Sequence, residues 1–488
     1  MTIPVLKKKG GKKMKKVKIS VICFLVLFLA LTTMTPATWA QEKLTYEEFS
    51  KRKAWFDDPR PYLTDFYKRF VSPELYSKLT YDVEEMKKLW AECVGFRAPD
   101  VVGKIALEIK PGTYSYKDKE KYPFKELMIP RHYDRFKPGG PPHAGNFPEI
   151  KVIPTRQYYW ALPIAKATKE NVGRTKLDNQ GYLINDSYVA GYPFPRPEGK
   201  FKAQQIMYNW EKRYSNFETN FTWQKSKGFT GGLKEDFNTE LDSLGMRLHG
   251  RVCMEPYGWL DDRAKKEGEK QVSLIKFYSP RDMYGMVIGI SYYLNADHFD
   301  QNLMYINALR RVRKMSATDT QDAIAGQDVI YEDQDGFSQK LSPKRYPYKF
   351  EVIGEREYLI PAYTLDGSVY YSSKGLELRN IEFERRPLYV VKLTQLDKNY
   401  VYSSRTIYID KETFMLVQAE NYDQKGRLYR TAEVTFAFVP EMGMTVMFGG
   451  LLADHIDKHS AIPLLFVQPA PFLTRENFDF GALFSKGK

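Results

Sequence analysis

Cysteine and histidine are scarce in this sequence, whose 488 residues include three Cys and six His. So few cysteines exclude a disulfide-rich scaffold, and thiols alone cannot complete a four-ligand zinc site here. The sequence also has no G-x-S-x-G, H-E-x-x-H, C-x-x-C, P-loop or G-x-G-x-x-G motif. These motifs mark common hydrolases, metalloproteases, redox proteins and nucleotide-binding proteins. We therefore predict a protein that is not an enzyme and has no cofactor.

Two short segments resemble metal sites only in part. "DHIDKH" would place His455 and His459 on one helix face, but the pair has no evident third strong ligand. "EDQDGF", Glu332 to Phe337, begins like a calcium loop and lacks the later ligands of such a loop. A plain turn at the Asp-Gly step is favoured there, and we predict no metal site.

A long apolar run occurs once, from Ile19 to Leu31, and has about thirteen residues. A bilayer span needs roughly 20 residues. A lysine-only head precedes the run, and small residues up to Ala40 follow it, which is the layout of a secretory signal peptide. We predict cleavage before Gln41 and export to the periplasm of a Gram-negative envelope, with the mature chain at most peripheral to membranes.

The positive net charge of +14 lies largely in this leader, which holds eight lysines and no acidic residue. The remaining chain has 66 basic and 60 acidic residues. Nucleic-acid binders carry clustered positive charge, so we predict no nucleic-acid partner.

Beyond the leader, the cysteines that remain are Cys93 and Cys253. In an oxidising compartment such a pair can form a disulfide that closes a long loop. Two separate buried thiols are the alternative, and the sequence does not decide between them.

The sequence divides into four segments. Residues 1–40 are the signal peptide, and 41–150 form a helical and Pro/Gly-rich amino-terminal region. Residues 151–450 are dominated by strand-length segments with short turns, and 451–488 form a carboxy-terminal extension. Short turns between consecutive strands favour an antiparallel sheet over βαβ units. We expect a mainly β fold (α+β) whose apolar sheet face is covered by helices, by closure of the sheet or by a ligand.

The stretch "RRVRKMSATDTQDAIAGQDVIYEDQDGF", Arg310 to Phe337, begins basic and turns acidic. Read as a strand, its start carries charge on both faces, which is typical of an edge strand. We predict that this strand and the following acidic loop form an ion-paired rim or lid. The rim residues are Arg311, Arg313, Asp319, Asp322, Ile324, Asp328 and Tyr331.

At these residues the chain resembles the LolA-like group of periplasmic outer-membrane lipoprotein-sorting proteins. The resemblance continues through "FEVIGEREY", "PLYVVKLTQ" and "SSRTIYIDKETFMLVQAENYDQKGRLYRTAEV". The flanks resemble a larger family, domain of unknown function 1329, in "IPTRQYYWALPIAKATKENVGRTKLDNQGYL", "GYPFPRPEGKFKAQQIMYNWEKRY" and "NFDFGALF".

The resemblance implies a curved antiparallel half-barrel of the LolA/LolB type wrapped round helices, with an apolar cavity for acyl chains. It further implies a carrier of a lipid or lipoprotein acyl ligand, in a family associated with export systems of the resistance-nodulation-division type or with outer-membrane proteins. The cavity candidates are Met286, Ile288, Ile290, Tyr292, Tyr389, Val391, Val434 and Phe436. The alternatives are an ordinary filled core, and an envelope assembly scaffold that docks an export system without a ligand.

Overall fold

The computed structural model describes residues 73–139, 145–231, 234–315, 321, 328, 330–363, 370–371, 378–379 and 381–480. The predicted signal peptide lies outside these residues. Within them, no helix is both long and apolar enough to cross a membrane.

The helices are short, and all but α8 precede the main run of strands. They are α1 Pro73–Lys78, α2 Val83–Val94, α3 Ala98–Val101, α4 Phe124–Leu127, α5 Pro130–Arg135, α6 Leu162–Asn171, α7 Lys202–Glu211 and α8 Asp262–Glu267. The apolar spacing predicts α2, and its Met86, Trp90 and Cys93 are indeed buried. The Asp82 carboxylate accepts a hydrogen bond from an amide of the first turn, and Gly95 ends the helix with a φ of 90°.

Strands make up most of the remaining elements. They are β1 Gly112–Ser115, β2 Glu149–Val152, β3 Thr219–Phe229, β4 Glu235–Arg247, β5 His249–Arg251, β6 Gly258–Trp259, β7 Glu269–Ser279, β8 Val287–Tyr293, β9 Gln301–Ile306, β10 Arg311–Lys314, β11 Tyr348–Pro361, β12 Tyr370–Tyr371, β13 Leu378–Arg379, β14 Glu382–Gln395, β15 Ser404–Asp410, β16 Leu416–Tyr422, β17 Leu428–Val439, β18 Met444–Asp454 and β19 His459–Pro469.

Fifteen of these strands form one sheet, in the order β1-β2-β14-β15-β16-β17-β18-β19-β3-β4-β7-β8-β9-β10, with β11 also paired to β14. Neighbouring strands are antiparallel except β2 and β14. The sheet is open, because its path ends at β1 on one side and at β10 on the other. The predicted mainly β, antiparallel fold with few helices is confirmed.

Strand β8 is buried on both faces, whereas the alternation in its sequence predicts a single apolar face. Ile288 and Ile290 belong to one apolar cluster, and Val287 belongs to another. The second cluster includes Phe478 and Phe480 from the end of the chain, which cover the outer face of the sheet. The outer face is therefore protected by the carboxy-terminal segment and not by solvent-exposed polar residues.

Residues 73–139 and 145–150, the described part of the amino-terminal region, form more regular structure than their Pro/Gly-rich sequence indicates. Aromatic side chains pack edge to face around Phe124, which contacts Tyr114 and Phe136 with ring centroids 5.2 and 5.4 Å apart. Burial of these rings fixes α4 and α5 against β1 and β2 of the sheet.

The carboxy-terminal segment also contributes to the sheet itself. The boundary predicted at residue 450 falls inside β18, and β19 follows it in the chain. Strand β19 lies between β18 and β3.

Candidate ligand-binding cavity

A cavity of about 800 Å³ lies on the inner face of the sheet. Its wall is formed by alternate residues of the strands, since every second side chain of a strand points to the same face. On β4 these include Leu241 and Ser243, and on β9 they are Met304 and Ile306. The segment from Tyr331 to Gly336 closes part of the cavity.

The cavity wall has an apolar part and a polar part. Side chains that offer only apolar surface include Leu241, Ile275, Phe277, Met286, Ile288 and Met304. Side chains that offer hydroxyl or amide groups include Asn220, Thr222, Gln224, Ser243 and Ser273. Ligand sites commonly join a large apolar surface to a few polar groups, and volumes of roughly 300–1,000 Å³ are usual. The wall therefore suits a molecule with a hydrocarbon part and a polar part.

Methionine is prominent in this wall. Met246, Met283, Met286, Met304 and Met315 all line the cavity. Methionine is unbranched and polarizable, so it adapts to apolar partners of different shape. The apolar part can therefore repack around chains of varied length.

The buried Glu433 carboxylate also lies in the wall, but its charge is balanced by two neighbouring basic side chains. His132 Nε2 lies 2.6 Å from it and Arg135 Nη1 also lies 2.6 Å from it. Burial opposes ionisation of Glu433, but the charges of Arg135 and His132 prevail and lower its pKa. An apolar ligand would thus meet a paired carboxylate here.

Four of the eight predicted cavity residues line this cavity: Met286, Ile288, Tyr292 and Val434. Ile290 is fully buried in the adjoining apolar cluster.

The other three predicted residues lie elsewhere on the sheet. The Tyr389 ring is covered by the ammonium groups of Lys202 and Lys411, at 5.3 and 5.0 Å. Val391 is fully buried, and the Phe436 ring packs 5.7 Å from that of Tyr363. Other side chains of the protein cover this portion of the sheet, so these three residues do not line the cavity.

The basic strand lies at the sheet edge, as its two charged faces predict. All four residues of β10 are exposed, and Arg313, which faces Met304 of β9, lines the cavity. Arg311 is one of these exposed residues. Tyr331 also lines the cavity, and its hydroxyl donates a 3.3 Å hydrogen bond to Asn302.

Asp328 has a different partner from the basic strand predicted for it. It lies 2.7 Å from His459 Nδ1, and Asp236 lies 2.8 Å from Nε2 of the same ring. Burial raises the pKa of Asp328 to about 6, with the hydrogen bond from His459 acting against it. Asp328 therefore contacts the start of β19 and not β10. Asp319, Asp322 and Ile324 lie outside the described residues.

The same contacts correct the helix considered for "DHIDKH". His459 begins strand β19, and a turn precedes it. His455 Nε2 lies 3.0 Å from the Thr431 hydroxyl. Each ring therefore has its own hydrogen-bond partner, and the two do not share a helix face.

"EDQDGF" forms part of a buried polar network that the sequence does not predict. Asp333 is paired with Arg405, and Tyr402 donates a 2.6 Å hydrogen bond to the same carboxylate. Glu332 accepts from Tyr400 and, at 2.6 Å, from Gln339. These contacts hold Tyr331 to Gly336 in place as one wall of the cavity.

Cys93 and Cys253 are both free thiols, so the disulfide considered from the sequence is not formed. Cys93 lies on the buried face of α2, and its Sγ donates to the Ala165 carbonyl at 3.5 Å. Burial raises the pKa of Cys93 to about 11. Helix α6, which carries Ala165, is the element that Cys93 faces.

The fold is an open antiparallel sheet, and the cavity on it has an apolar part and a polar part. The chain belongs to the family described as "Protein of unknown function (DUF1329)", whose model matches residues 131–479. This confirms the family resemblance predicted from the flanking segments.

Three relatives of this chain are distant from it in sequence. An uncharacterized protein of Pseudomonas aeruginosa is 22% identical over 324 residues, which cover 62% of this chain and 67% of that protein. A crystal structure of a DUF1329 family protein from Desulfovibrio piger is 17% identical, with a TM-score of 0.39, and the match covers 55% of this chain and 91% of that one. A LolA superfamily protein from Nitrosomonas europaea is 12% identical, with a TM-score of 0.36, over 57% of this chain and 98% of that one.

Proposed function

We propose that this protein is a non-enzymatic periplasmic carrier or chaperone that binds a lipid, or the acyl chain of a lipoprotein, for envelope or outer-membrane transport. The observation that carries the proposal is the cavity of about 800 Å³ with an apolar, methionine-rich part. Transfer of a hydrocarbon chain from water into such a space is favourable by roughly 25 cal/mol for each Å² of apolar surface buried.

The location of the protein is part of the proposal. The amino-terminal segment has the charge and apolar pattern of a secretory signal. An amphiphile that crosses an aqueous compartment must keep its hydrocarbon away from water, and a soluble protein cavity provides that shelter. The protein would meet membranes only at their surface while it loads or releases the ligand.

Native mass spectrometry of protein purified from the cell envelope tests the proposal. We expect a bound mass that is extractable by organic solvent and is identified as an amphiphile. Ile288→Trp fills the cavity from β8 and should abolish the bound mass. Ile353→Trp is the matched control, because Ile353 is 54% exposed on β11 and does not line the cavity. A ligand-free spectrum, together with no binding of a lipophilic fluorophore, would contradict the carrier function.

An envelope scaffold that docks an export system is the second candidate, and the edge strand β10 favours it. Such a strand offers unpaired backbone groups to a partner strand. Val312 on this strand is 47% exposed, and nearby Leu309 is 49% exposed. Capture of an exporter component by the protein should survive Ile288→Trp if the scaffold role is correct, and should be lost if partner binding depends on the ligand.

A further inference from the structure

A second, smaller cavity of about 130 Å³ adjoins the polar part of the large one. Arg213, Arg247, Gln271 and Tyr292 line both spaces. We call the smaller space the polar annex. Its charged lining residues are Glu211, Lys212, Arg213, Arg247, Lys270 and Asp335. One ligand can therefore reach from the apolar wall of the large cavity into a charged compartment.

The annex contains more positive than negative charge. The Glu211 carboxylate is shared by Lys212 Nζ at 3.1 Å and Lys270 Nζ at 2.9 Å. Asp335 is paired with Arg213 at 2.5 Å. Among the charged side chains that line the annex there are thus four cations and two carboxylates.

Arg247 is an annex cation that is held by an aromatic ring and a carbonyl and not by a carboxylate. Its guanidinium stacks 4.1 Å from the Tyr214 ring centroid and donates to the carbonyl of Arg213. Within the described ranges it has no carboxylate within ion-pair distance. Burial lowers the pKa of Arg247, but the neighbouring tyrosines and the Glu218 carboxylate outweigh it and raise this pKa. The Glu218 carboxylate itself accepts amide hydrogen bonds from Val252 to Met254.

An excess of buried cations destabilises a protein unless an anion compensates it. His249, which also lines the annex, responds to this excess: burial first, and then the charges of Lys212, Arg247 and Lys270, lower its pKa to about 3. A phosphate or carboxylate in the annex would supply the missing negative charge and accept charge-assisted hydrogen bonds.

The size of the annex fits a head group and not a chain. At roughly 30 Å³ for each water molecule in the liquid, the annex of about 130 Å³ holds about four. A phosphate or carboxylate occupies a space of that order, whereas the hydrocarbon has room only in the large cavity.

We propose that the polar annex binds the anionic head group, phosphate or carboxylate, of an amphiphile whose hydrocarbon chain lies against the methionine-rich wall. This inference rests on the proposed carrier function and adds the chemical class of the ligand. Arg247 and Lys270 are the specificity-determining residues, because they contact the head group and not the chain.

Titration calorimetry on the whole, delipidated chain with two matched probes tests this inference. 1-Lauroylglycerol 3-phosphate and 1-lauroylglycerol have the same chain and glycerol and differ by the phosphate. We expect the phosphate probe to bind roughly tenfold more tightly or better, since hydrogen bonds to charged groups contribute about that much. Arg247→Met and Lys270→Met should remove most of this preference, because they weaken binding of the phosphate probe more than binding of the neutral probe.

Lys398→Met is the matched control, because Lys398 is exposed in the turn between β14 and β15 and lies outside both cavities. It should keep the full preference for phosphate. If Arg247→Met does not fold, Lys270→Met decides, because Glu211 retains Lys212 as its partner.

The outcomes separate the two proposals. Equal affinity for both probes would overturn the head-group inference and leave the carrier function standing. Binding of neither probe would overturn both. Inorganic phosphate alone is the third arm: we expect it to bind far more weakly than the phosphate probe. Equal affinity for free phosphate would show an anion site independent of any lipid and would overturn the inference.

Discussion

Arg405 and Asp333 form an ion pair in which neither side chain has any exposed surface. The two residues are 72 positions apart in the chain, on β15 and on the segment that walls the cavity. Through this pair the cavity wall is fixed to the sheet.

Breaking this pair should destabilise the protein strongly. Arg405→Met leaves the buried Asp333 carboxylate without its cation, which typically costs about 3–5 kcal/mol. Urea denaturation followed by circular dichroism measures the free energy of unfolding. Arg97→Met is the control, since it breaks an Arg–Asp pair whose side chains are 57% and 49% exposed, and its effect on the free energy of unfolding should be far smaller because solvent screens exposed pairs. Equal losses from the two variants would contradict the buried role of Asp333.

The contacts of His459 predict a pH dependence. Burial disfavours the charged imidazole, but Asp328 and Asp236 outweigh it and raise the pKa of His459 above 6.5. A raised histidine pKa stabilises the fold fully below 6.5, and this stabilisation is lost as the pH rises through the folded-state pKa. The raised pKa of Asp328, about 6 against 3.8 unfolded, acts in the same direction, since stability falls as pH rises between these values.

The comparison of wild type with His459→Gln isolates the histidine contribution. The advantage of the wild type in the free energy of unfolding should be largest near pH 6.5 and should shrink towards pH 9. An advantage that grows with pH would show that His459 is bound in its neutral form.

Phe480 and Gly289 form a close contact on the outer face of the sheet. A Cβ added at Gly289 would lie 2.6 Å from Cδ1 of Phe480. Gly289→Ala should therefore destabilise the protein by about 1–3 kcal/mol through overpacking. In a Phe480→Ala background the same change should be neutral or slightly stabilising, because alanine is favoured over glycine inside a strand.

A double-mutant cycle by urea denaturation measures the coupling between these two positions. Additive effects of the two substitutions would mean that the end of the chain does not pack on β8.

The thiols provide a chemical test of the redox state. The raised pKa of Cys93, about 11, leaves little thiolate near pH 8, so the folded protein should alkylate there very slowly. Burial also raises the pKa of the Cys253 thiol well above its usual value, so this half-buried residue should react slowly in the folded protein too. In urea without reductant both residues should be alkylated by iodoacetamide, and mass spectrometry counts the adducts. A denatured, unreduced chain that takes up no label at either position would show that the two form a disulfide.

Sequence periodicity predicts those elements whose buried residues recur at the spacing of a helix or of a strand. The spacing of Met86, Trp90 and Cys93 identifies α2, and the alternation from Met286 to Tyr293 puts Met286 and Ile288 on one face, which is the face that lines the cavity. Alternation states which face a side chain occupies but not what covers that face. Alternation alone therefore predicts Tyr389 and Val391 as cavity residues, although other side chains of the protein cover that part of the sheet.

The charged groups of the annex could not be predicted for a related reason. Arg247 ends a strand, and Lys212 follows a helix. Their spacing in the chain carries no period, because only the pairing of β4 with β7 and the return of α7 bring them together. The Arg405–Asp333 pair is likewise a product of tertiary structure.

Strand β19 pairs with β18 on one side and with β3 on the other, where Ser460 faces Phe229. Among the strands that the structure describes, those from β3 to β10 and those from β14 to β18 are joined within the sheet only through β19. During synthesis, the two halves of the sheet therefore keep uncovered edges until residues 459–469 have emerged from the ribosome. Such late, distant pairing slows folding and leaves strand edges open to aggregation. A chain without β19 could not join its two halves within the sheet, so residues 459–469 decide whether both halves contribute to one cavity wall.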